Sequence, residues 1–339
     1  MKKNLLLLIA SVLFISCGGE QKKSNSTANE SPIIGFWERV GTIQIVNGVN
    51  VDTVYWDDVE MDFTPKQIKA YAFDHTAWLS NHFRNPDEET KKYPWITGAG
   101  AFGKYTFNPE SNNNDNMTEN VSNIIGTSVT WSGEFPKTRN NEIANLNFSA
   151  SINDGFYSQL GVRSTENDSI FQLDERTMGN STEYAEFYKK IPDGKKTKID
   201  GVWKHIATVR YVNGVPIDTT AVPEGLDDHK IFYKGNVIVN FDFTLAKEGD
   251  PNWGGAGLSG TYTYNKDENV LMEKFTLGTG NWMPKENEWP DTYYDIDWID
   301  NDTYIQIFKT RAVPSEDGSG LTWVEANDET TGNLNVRVK

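Results

Sequence analysis

The chain has 339 residues and a formal net charge of −16 at pH 7, from 32 basic and 48 acidic side chains. This acidic balance argues against a nucleic-acid-binding protein and against electrostatic docking on anionic lipid, because both need clusters of Lys and Arg. The single cysteine excludes an intramolecular disulfide framework and a multi-cysteine metal site.

The first predicted element is a secretory signal peptide at residues 1–17. Two lysines form a positively charged start, and residues 5–15 form an apolar core that is too short to span a membrane comfortably. The segment "LFISC", which ends at Cys17, resembles the lipobox of bacterial lipoproteins, although Phe14 replaces the usual aliphatic residue. The resemblance implies that Cys17 is the site of lipid attachment. The alternative is an ordinary signal peptide with an incidental cysteine.

Residues 18–32 are rich in Ser, Asn, Gly and Lys and lack apolar periodicity. Such a composition cannot bury enough surface to fold, so we predict a flexible linker. Together with the lipobox resemblance, this linker implies a lipid-anchored protein of the cell envelope, at the outer membrane on its periplasmic or surface-exposed face.

Residues 33–53 and 199–219 are nearly the same sequence. At a constant offset of 166 residues they share ten identities in 21 positions, far above chance, so an internal duplication is the only sensible explanation. Three shorter echoes follow in the same order: "GKYTFN" with "GTYTYN", "MTENVS" with "LMEKFT", and "NDSIFQL" (167–173) with "NDTYIQI" (301–307). We therefore predict two homologous domains, 33–190 and 199–339, joined by a polar linker at 191–198.

Each copy of the repeat carries an Asn-Gly pair between β-branched runs, at Asn47-Gly48 and at Asn213-Gly214. Asn-Gly is the strongest short signal for a hairpin, because both residues tolerate the positive φ of a type I′ turn. A two-residue turn predicts four cross-strand pairs: Val46 with Val49, Thr42 with Thr53, Val212 with Val215, and Thr208 with Thr219.

The rest of each copy consists of short runs of β-branched and aromatic residues, separated by Asn, Asp, Gly and Pro. No stretch shows a long, capped helical period. Residues 68–83 come nearest, but their start aligns plausibly with the strand predicted at Val237. We predict an all-β fold of two tandem antiparallel up-and-down β-barrels, each with eight to ten strands.

Gly35-Phe36-Trp37 and Gly201-Val202-Trp203 resemble the Gly-x-Trp entry motif of the lipocalins and their calycin relatives. The order of motifs in both copies looks like the lipocalin-like domains of Bacteroidota lipoproteins. The resemblance implies that Trp37 and Trp203 close the barrel base and that each meets an Arg from a late strand. Arg337 fits this role in copy 2, whereas copy 1 ends in "EFYKKI" without an Arg. We expect both Trp side chains to be core residues rather than ligand contacts.

The segment "NWMPKENEWPDTYYDIDW" is the best candidate for ligand binding. It is polar and contains Pro, so its aromatic residues cannot all belong to a buried strand. Trp282, Trp289, Tyr293 and Tyr294 are therefore candidate ligand-binding residues, as flat platforms on a loop or as a lid over a cavity. Packing between the domains or on the barrel mouth is the alternative.

The sequence offers no convincing metal or catalytic set. The four histidines, His75, His82, His205 and His229, have neither the partners nor the spacing of a zinc site. The acidic run Asp295, Asp297, Asp300 and Asp302 could hold Ca²⁺, but it lacks the glycine and distal glutamate of an EF-hand loop, so a solvated strand edge is favoured. Asp57-Asp58 and Asp227-Asp228 are interpreted as loop acids. We predict no catalytic residue, no metal and no cofactor.

These observations favour a lipid-anchored envelope protein that binds a small apolar or amphipathic ligand in its barrel cavities. The ligand-binding part of this prediction depends on analogy with other proteins of the same fold. The alternative is a surface lipoprotein that binds glycan or protein through exposed aromatic residues, with the barrels as scaffold. The expected partners are the membrane, through the lipid, and a small molecule or glycan, but not nucleic acid. An enzyme is not expected.

Overall fold

The structure is a computed structural model. It describes residues 30–46, 49–58, 63–84, 95–111, 116–126, 144–164, 182–243, 255–280, 291–314, 321–326 and 329–339. The predicted signal peptide, Cys17 and most of the first linker lie outside this part of the chain. Among the described residues, no helix is both long enough and apolar enough to cross a membrane.

The described residues of the first half form nine strands and one 3-10 turn, Trp56–Asp58. The strands are β1 (Gly35–Val46), β2 (Val49–Tyr55), β3 (Phe63–Ala72), β4 (His75–Arg84), β5 (Trp95–Phe107), β6 (Met117–Gly126), β7 (Ala144–Asn153), β8 (Phe156–Ser164) and β9 (Thr182–Lys190).

Strand β1 closes this sheet into a barrel because it pairs on both sides. Its first residues pair with β3, its later residues pair with β2, and nearly its whole length pairs with β9. Strands β3 to β9 follow one another in antiparallel order, so β1 and β3–β9 make an eight-stranded up-and-down barrel, barrel 1. Strand β2 lies outside the closed ring as the second arm of the β1–β2 hairpin.

The second half of the chain repeats this arrangement and adds a small two-stranded sheet. Its strands are β10 (Gly201–Val212), β11 (Val215–Ala221), β12 (Leu226–Tyr233), β13 (Asn236–Phe243), β14 (Ala256–Asn265), β15 (Val270–Gly280), β16 (Thr292–Trp298), β17 (Thr303–Phe308), β18 (Thr310–Pro314), β19 (Leu321–Glu325) and β20 (Glu329–Arg337).

Strand β10 pairs with β11, β12 and β20, which closes the eight strands β10, β12–β17 and β20 into barrel 2. Among the described strands, β18 and β19 pair only with each other, and they lie between β17 and β20 in the chain. The predicted fold class, two tandem antiparallel barrels, is confirmed.

The pairing registers place the two barrels in correspondence, and we call residues at the same ladder position equivalent. Tyr105 pairs with Glu119 as Tyr262 pairs with Glu273, which confirms the second and third sequence echoes. The fourth echo is wrong. Strand β17 takes the place of β8, because Ala150 pairs with Gln159 as Ile296 pairs with Gln306. The counterpart of "NDTYIQI" is therefore at residues 154–160, and residues 167–173 lie in an undescribed part of the chain.

The hairpin prediction is correct next to the turn and wrong beyond it. Val212 pairs with Val215, and Asn213 and Gly214 both have positive φ, as a type I′ turn requires. A β-bulge then shifts the register by one residue, so that Thr208 pairs with Thr220 rather than Thr219. The same bulge in barrel 1 pairs Thr42 with Val54. A bulge adds an unpaired residue to one strand and breaks the regular alternation on which the prediction depended.

Residues 68–83 form two strands, β3 and β4, joined by a tight turn at Phe73-Asp74 in which both residues have positive φ. The predicted alignment of their start with Val237 is wrong, because Ile68 is equivalent to His229 on β12. A Phe-Asp turn has none of the usual Gly or Asn signal, so the sequence does not reveal it.

Residues 33–339 form one compact unit, and the three largest apolar clusters among the described residues hold it together. One cluster fills the base of barrel 1 around Trp37 and Phe148. A second fills barrel 2 around Trp203 and Tyr304. The third lies between the barrels and combines Phe36, Leu79 and Ile125 of barrel 1 with residues such as Ile231 and Ile238 of barrel 2. The barrels are thus packed against each other through their outer faces.

Each barrel has two different ends. At the end that holds Trp37 or Trp203, short described turns join the strands, including Phe73-Asp74, Asp154-Gly155 and Lys234-Gly235. We call this end the base. The opposite end, where strands β4, β6, β8 and β13 end, we call the mouth.

Candidate functional site

A buried ionic cluster crosses the lower interior of barrel 1. Lys69 on β3, Glu119 on β6 and Gln159 on β8 point into the barrel and are at most 4 % exposed. Lys69 Nζ lies 3.1 Å from Glu119 Oε1 and donates a 2.7 Å hydrogen bond to Gln159 Oε1. Burial of two charges is tolerable here because each has an opposite charge and further polar contacts.

Barrel 2 contains the same cluster at equivalent positions. Lys230 Nζ donates hydrogen bonds to Glu273 Oε1 at 2.9 Å and to Gln306 Oε1 at 3.2 Å. Gln306 Nε2 also donates to Glu273 Oε1 at 3.3 Å. The duplication has therefore kept a Lys–Glu–Gln set in both interiors, and we call these two sets the floor clusters.

Tyrosine hydroxyls complete the floor clusters from different strands in the two barrels. In barrel 1, Tyr71 on β3 donates a 2.5 Å hydrogen bond to Glu119 Oε1. The equivalent of Tyr71 is Phe232, which has no hydroxyl. In barrel 2 the hydroxyl beside the glutamate comes instead from Tyr294 on β16, whose equivalent is Phe148. The glutamate therefore has the same position in both barrels, whereas the tyrosine hydroxyl beside it comes from a different strand in each.

These tyrosines remain protonated. Burial, reinforced by the Glu119 carboxylate, raises the pKa of Tyr71 and Tyr157 well above the ordinary value. Burial and Glu273 raise the pKa of Tyr294 and Tyr304 in the same way. None of the four hydroxyls therefore acts as a base near neutral pH, and those of Tyr71, Tyr157 and Tyr294 hydrogen-bond within the floor.

Above the floor of barrel 1, an Arg–Glu pair lies nearer the mouth. Arg39 Nη1 donates hydrogen bonds to Glu186 Oε1 at 2.8 Å and to Gln67 Oε1 at 3.0 Å. Gln67 and Glu186 in turn contact the hydroxyl of Tyr188, at 2.9 and 2.6 Å. The Arg39 and Glu186 side chains are 13 % and 27 % exposed, compared with at most 4 % for the floor. Solvent therefore reaches this pair.

Glu186 is ionised over the physiological range. Burial acts to raise the pKa of its carboxyl, but Arg39, Lys69 and the hydrogen bond from Tyr188 outweigh it, and the net pKa is lowered. The Arg39 guanidinium carbon also lies 4.9 Å from the ring centre of Trp56. Arg39 Nε and Nη2 also donate long hydrogen bonds, of 3.4 Å each, to the Gly41 carbonyl and the Thr42 hydroxyl, which leaves one N–H of Nη2 for a further group.

Barrel 2 has a different pair at the equivalent level. His205 takes the place of Arg39, and Asp228 takes the place of Gln67. His205 Nδ1 lies 3.4 Å from Asp228 Oδ2, and its Nε2 lies 2.9 Å from the Ala207 carbonyl, which can only accept a hydrogen bond. Asp227 and Asp228 thus lie on strand β12, with Asp228 buried, and the interpretation of both as loop acids is wrong.

Trp37 and Trp203 lie at the barrel bases with almost no exposure. Each indole Nε1 donates a 2.8 Å hydrogen bond to a carbonyl four residues earlier, that of Ile33 or Ile199. The Arg337 guanidinium lies 4.2 Å from the Trp203 ring centre. In barrel 1 the equivalent of Arg337 is Lys190, whose ammonium lies 5.8 Å from the Trp37 ring centre. Lys therefore replaces the missing Arg.

The candidate aromatic residues do not form one loop platform. Tyr293 and Tyr294 are neighbours on strand β16, so their side chains point to opposite faces. Tyr293 is exposed, and Tyr294 is buried beside Glu273 and belongs to the floor of barrel 2. The loop placement predicted for these two residues is wrong, since an alternating strand begins at Thr292. Trp282 and Trp289 lie outside the described residues.

The acidic run is spread over a strand and a bend. Asp295 and Asp297 point outward from β16, and Asp295 lies 3.1 Å from Lys309 Nζ. Asp302 lies 3.1 Å from Arg337 Nε and 3.0 Å from Lys339 Nζ. In the part of the chain that the structure describes, no three His, Cys, Asp or Glu side chains are arranged to hold a metal ion.

Two histidines take part in the contact between the barrels. The Phe102 ring of barrel 1 stacks on His229 of barrel 2 with a centroid separation of 4.2 Å. On its own barrel, Phe102 also stacks on His75 at 5.5 Å. Burial lowers the pKa of His229 to about 4, with Lys204 and His75 acting in the same direction. His82 lies on β4.

Part of the floor could have been found in the sequence. The third echo already aligns Glu119 with Glu273. The lysines were missed because the duplication is unreadable over β3 and β12, and the glutamines were missed because the fourth echo was placed on the wrong segment. Buried Lys and Glu are rare unless paired, so two copies of one such pair would have been a strong signal.

No protein-family model and no curated protein matches the sequence. Among solved structures, the uncharacterized protein YLR301w of Saccharomyces cerevisiae aligns at 13 % identity and a TM-score of 0.34, over 87 % of this chain and 98 % of the other. A DUF3598-family protein of unknown function from Nostoc punctiforme aligns at 8 % identity and a TM-score of 0.20, over 91 % and 97 %. Similarities this distant indicate nothing about function.

Proposed function

We propose that the protein is a lipid-anchored component of the cell envelope that binds a small amphipathic molecule at the barrel mouths. The observation that carries the proposal is the Arg39–Glu186 pair in barrel 1, which lies above a filled floor and is reached by solvent. A closed eight-stranded barrel is a scaffold of the ligand-binding kind, with room for one small molecule.

The floor clusters argue against a deep, purely apolar cavity. Lys69, Glu119 and Gln159 are fully bonded to one another and to tyrosines at the level where an apolar tail would have to enter. An apolar group next to them would leave buried polar atoms unsatisfied, at a cost of about 1–3 kcal/mol each. A ligand that stops above the floor, with its polar part downward, avoids this cost.

The polar part of the ligand is best uncharged or zwitterionic. Arg39 and Glu186 already neutralise each other, so an added anion would face Glu186 and an added cation would face Arg39. Hydroxyl or amide groups can accept from the guanidinium and donate to the carboxylate at once. Such charge-assisted hydrogen bonds are about twice as strong as neutral ones.

Binding of 1-monolauroylglycerol, measured by isothermal titration calorimetry, tests the proposal. We expect saturable binding to the mature protein, and weaker binding of dodecanoate because of its charge. The double variant Arg39→Met/Glu186→Gln should lose roughly tenfold in affinity, the value of one hydrogen bond to a charged group.

The matched control removes an exposed ion pair from the outer face, as Lys309→Met/Asp295→Asn. It should bind like the wild type. Equal loss in both double variants, or no saturable binding to the wild type, would contradict a site at the mouth. If the wild type did not bind the monoglyceride but was retained on a polysaccharide column, the glycan-binding alternative would be favoured.

The lipid anchor depends on Cys17. The Cys17→Ser variant should move from the membrane fraction to the soluble fraction after cell lysis, because a stable anchor needs the acyl chains on this residue. A variant that stays with the membrane through a high-salt wash would refute lipid attachment at Cys17.

A further inference from the structure

The two barrels pack through a pseudo-twofold interface. Strand β15 of barrel 2 contacts β4 and β5 of barrel 1, and the equivalent strand β6 of barrel 1 contacts β13 and β14 of barrel 2. Gly100 and its equivalent Gly257 both lie against the side chains of Leu79 and Ile125 near the middle of the interface. Every feature on one side of this axis therefore has a counterpart on the other side, built from equivalent residues.

On one side of the axis, an aromatic ring fills the space between the barrels. Phe102 is stacked between His75 and His229, with rings inclined by 24° and 12°. Next to it, Asn123 Nδ2 donates a 2.6 Å hydrogen bond to Asp227 Oδ2 across the interface. Lys204 Nζ lies 2.6 Å from the other oxygen of Asp227. We call this side the plugged side.

On the other side of the axis, the plug is missing. The equivalent of Phe102 is Ser259, the equivalent of His75 is Asn236, and the equivalent of His229 is Ile68. These three residues line an open cleft of about 330 Å³, together with Phe36, Lys189 and Lys190. A hydroxyl group in place of a phenyl ring therefore leaves open the place that a flat ring occupies on the plugged side.

We infer that this cleft is a binding site for a small planar ring that carries an anionic group. We expect a flat ligand because, on the plugged side, the equivalent backbone positions hold the Phe102 ring between two side chains. The volume lies at the lower end of the range for small-molecule pockets, which suits a ligand of one or two fused rings. The wall is formed by Ile68 and Phe36, and such apolar side chains favour contact with a ring face.

Lys189 supplies the positive charge at the cleft. It lies opposite Glu38 in the pairing of β9 with β1, and both residues line the cleft. The Lys190 ammonium lies instead at the base, 5.8 Å from the Trp37 ring centre and 3.7 Å from Asp193 Oδ2. Ser259, Thr261 and Asn236 add hydroxyl and amide groups to the same lining. A carboxylate on the ring can therefore pair with an ammonium while the ring enters the cleft.

Methyl NMR of the mature protein with ¹³C-labelled isoleucines tests this site without any variant. Ile68 and Ile191 line the cleft, whereas Ile307 lies on the outer face of barrel 2. We expect titration with indole-3-carboxylate to shift the first two methyl signals saturably and to leave Ile307 unchanged. Cyclohexanecarboxylate, which is not flat, should bind roughly tenfold more weakly.

Reciprocal variants test the pseudo-symmetry. Ser259→Phe should restore the plug and abolish the shifts at Ile68, because the equivalent position already accepts Phe. Phe102→Ser alone should add no second equivalent of bound indole-3-carboxylate, because Val336 takes the place of Lys189 on the plugged side. Thr263→Phe is the matched control, since Thr263 is exposed on the same strand outside the cleft and should leave binding unchanged.

Three results would overturn the inference. One is the absence of any shift at Ile68 and Ile191 in the wild type at millimolar indole-3-carboxylate. Another is equal affinity for the flat and the non-flat acid. The third is unchanged binding by a Ser259→Phe variant whose circular dichroism spectrum shows that it is folded.

Discussion

At the scale of single residues, the floor clusters are the most constrained part of the molecule. Lys230 and Glu273 are almost entirely buried, and their remaining polar contacts come from Gln306 and from tyrosines held in the protonated state. A buried ion pair contributes little net stability over an apolar substitute, but removal of one partner leaves an uncompensated charge. The Lys230–Glu273 pair therefore limits substitution, because neither residue can be replaced by an uncharged one while the other remains charged.

The variant Lys230→Met tests this constraint. It leaves the Glu273 carboxylate buried without a cation, so we expect the free energy of unfolding to fall by about 3–5 kcal/mol. The double variant Lys230→Met/Glu273→Gln removes both charges and should recover most of that loss. Urea unfolding followed by near-ultraviolet circular dichroism measures both.

Lys309→Met is the control for this measurement, because it removes a lysine from an exposed pair with Asp295. Exposed pairs contribute less than about 1 kcal/mol. If Lys230→Met cost no more than this control, or if the double variant were as unstable as the single one, the floor pair would not be a coupled buried unit.

At the scale of strands and hairpins, the sequence predicted the architecture well and the details of register poorly. The Asn213-Gly214 turn and the pair Val212–Val215 could be predicted because turn chemistry acts over two residues. The bulge between Arg210 and Tyr211 could not, since it leaves Ile217 of β11 without a partner and no Gly or turn residue marks that position in the sequence.

The same limit explains the outcome for the candidate site. The sequence predicts a loop at Tyr294 because the neighbouring residues are polar and include Pro290. In the barrel, alternation from Thr292 onward turns Tyr294 inward and Tyr293 outward. The Arg39–Glu186 pair joins the first and last strands of barrel 1, so no local motif marks it. Only the closure of the barrel brings these residues together.

At the scale of the whole molecule, the interface between the barrels is sensitive to pH. The pKa of His229 is lowered from 6.5 to about 4, chiefly by burial against barrel 1. Asp227 and Asp228 act to raise this pKa, whereas Lys204 and His75 act to lower it. The pKa of His75, on the other side of Phe102, is also lowered by burial.

The sign of the pH effect follows from proton binding. Between pH 6.5 and about 4 the unfolded chain binds a proton at residue 229 and the folded chain does not, so stability falls as the pH falls through this window. The loss is on the order of 3 kcal/mol. Asp227, whose pKa is lowered, adds its own loss only below its ordinary value near 3.8.

The variant His229→Ile tests this prediction, because Ile68 already occupies the equivalent position. We expect the free energy of unfolding of the wild type to fall between about pH 7 and pH 4.5, and that of the variant to fall clearly less. Urea unfolding at the two pH values measures the difference. An equally steep fall in the variant would place the titrating group elsewhere.

The duplication explains how one chain can offer different binding chemistry at equivalent places. The barrels share their floors, but the mouths differ, with Arg39 and Glu186 in one and His205 and Asp228 in the other. The interface differs in the same way, with a ring on one side of the axis and a cleft on the other. Functional differences therefore lie where equivalent residues differ.

The central claim, ligand binding at the mouth of barrel 1, is tested most directly by native mass spectrometry of the protein purified from its own envelope and delipidated at Cys17. We expect the wild type to carry a co-purifying amphipathic molecule with an uncharged or zwitterionic polar group, and the Arg39→Met/Glu186→Gln variant to lose most of it. A wild type without any bound molecule, or a variant that retains it in full, would contradict the account.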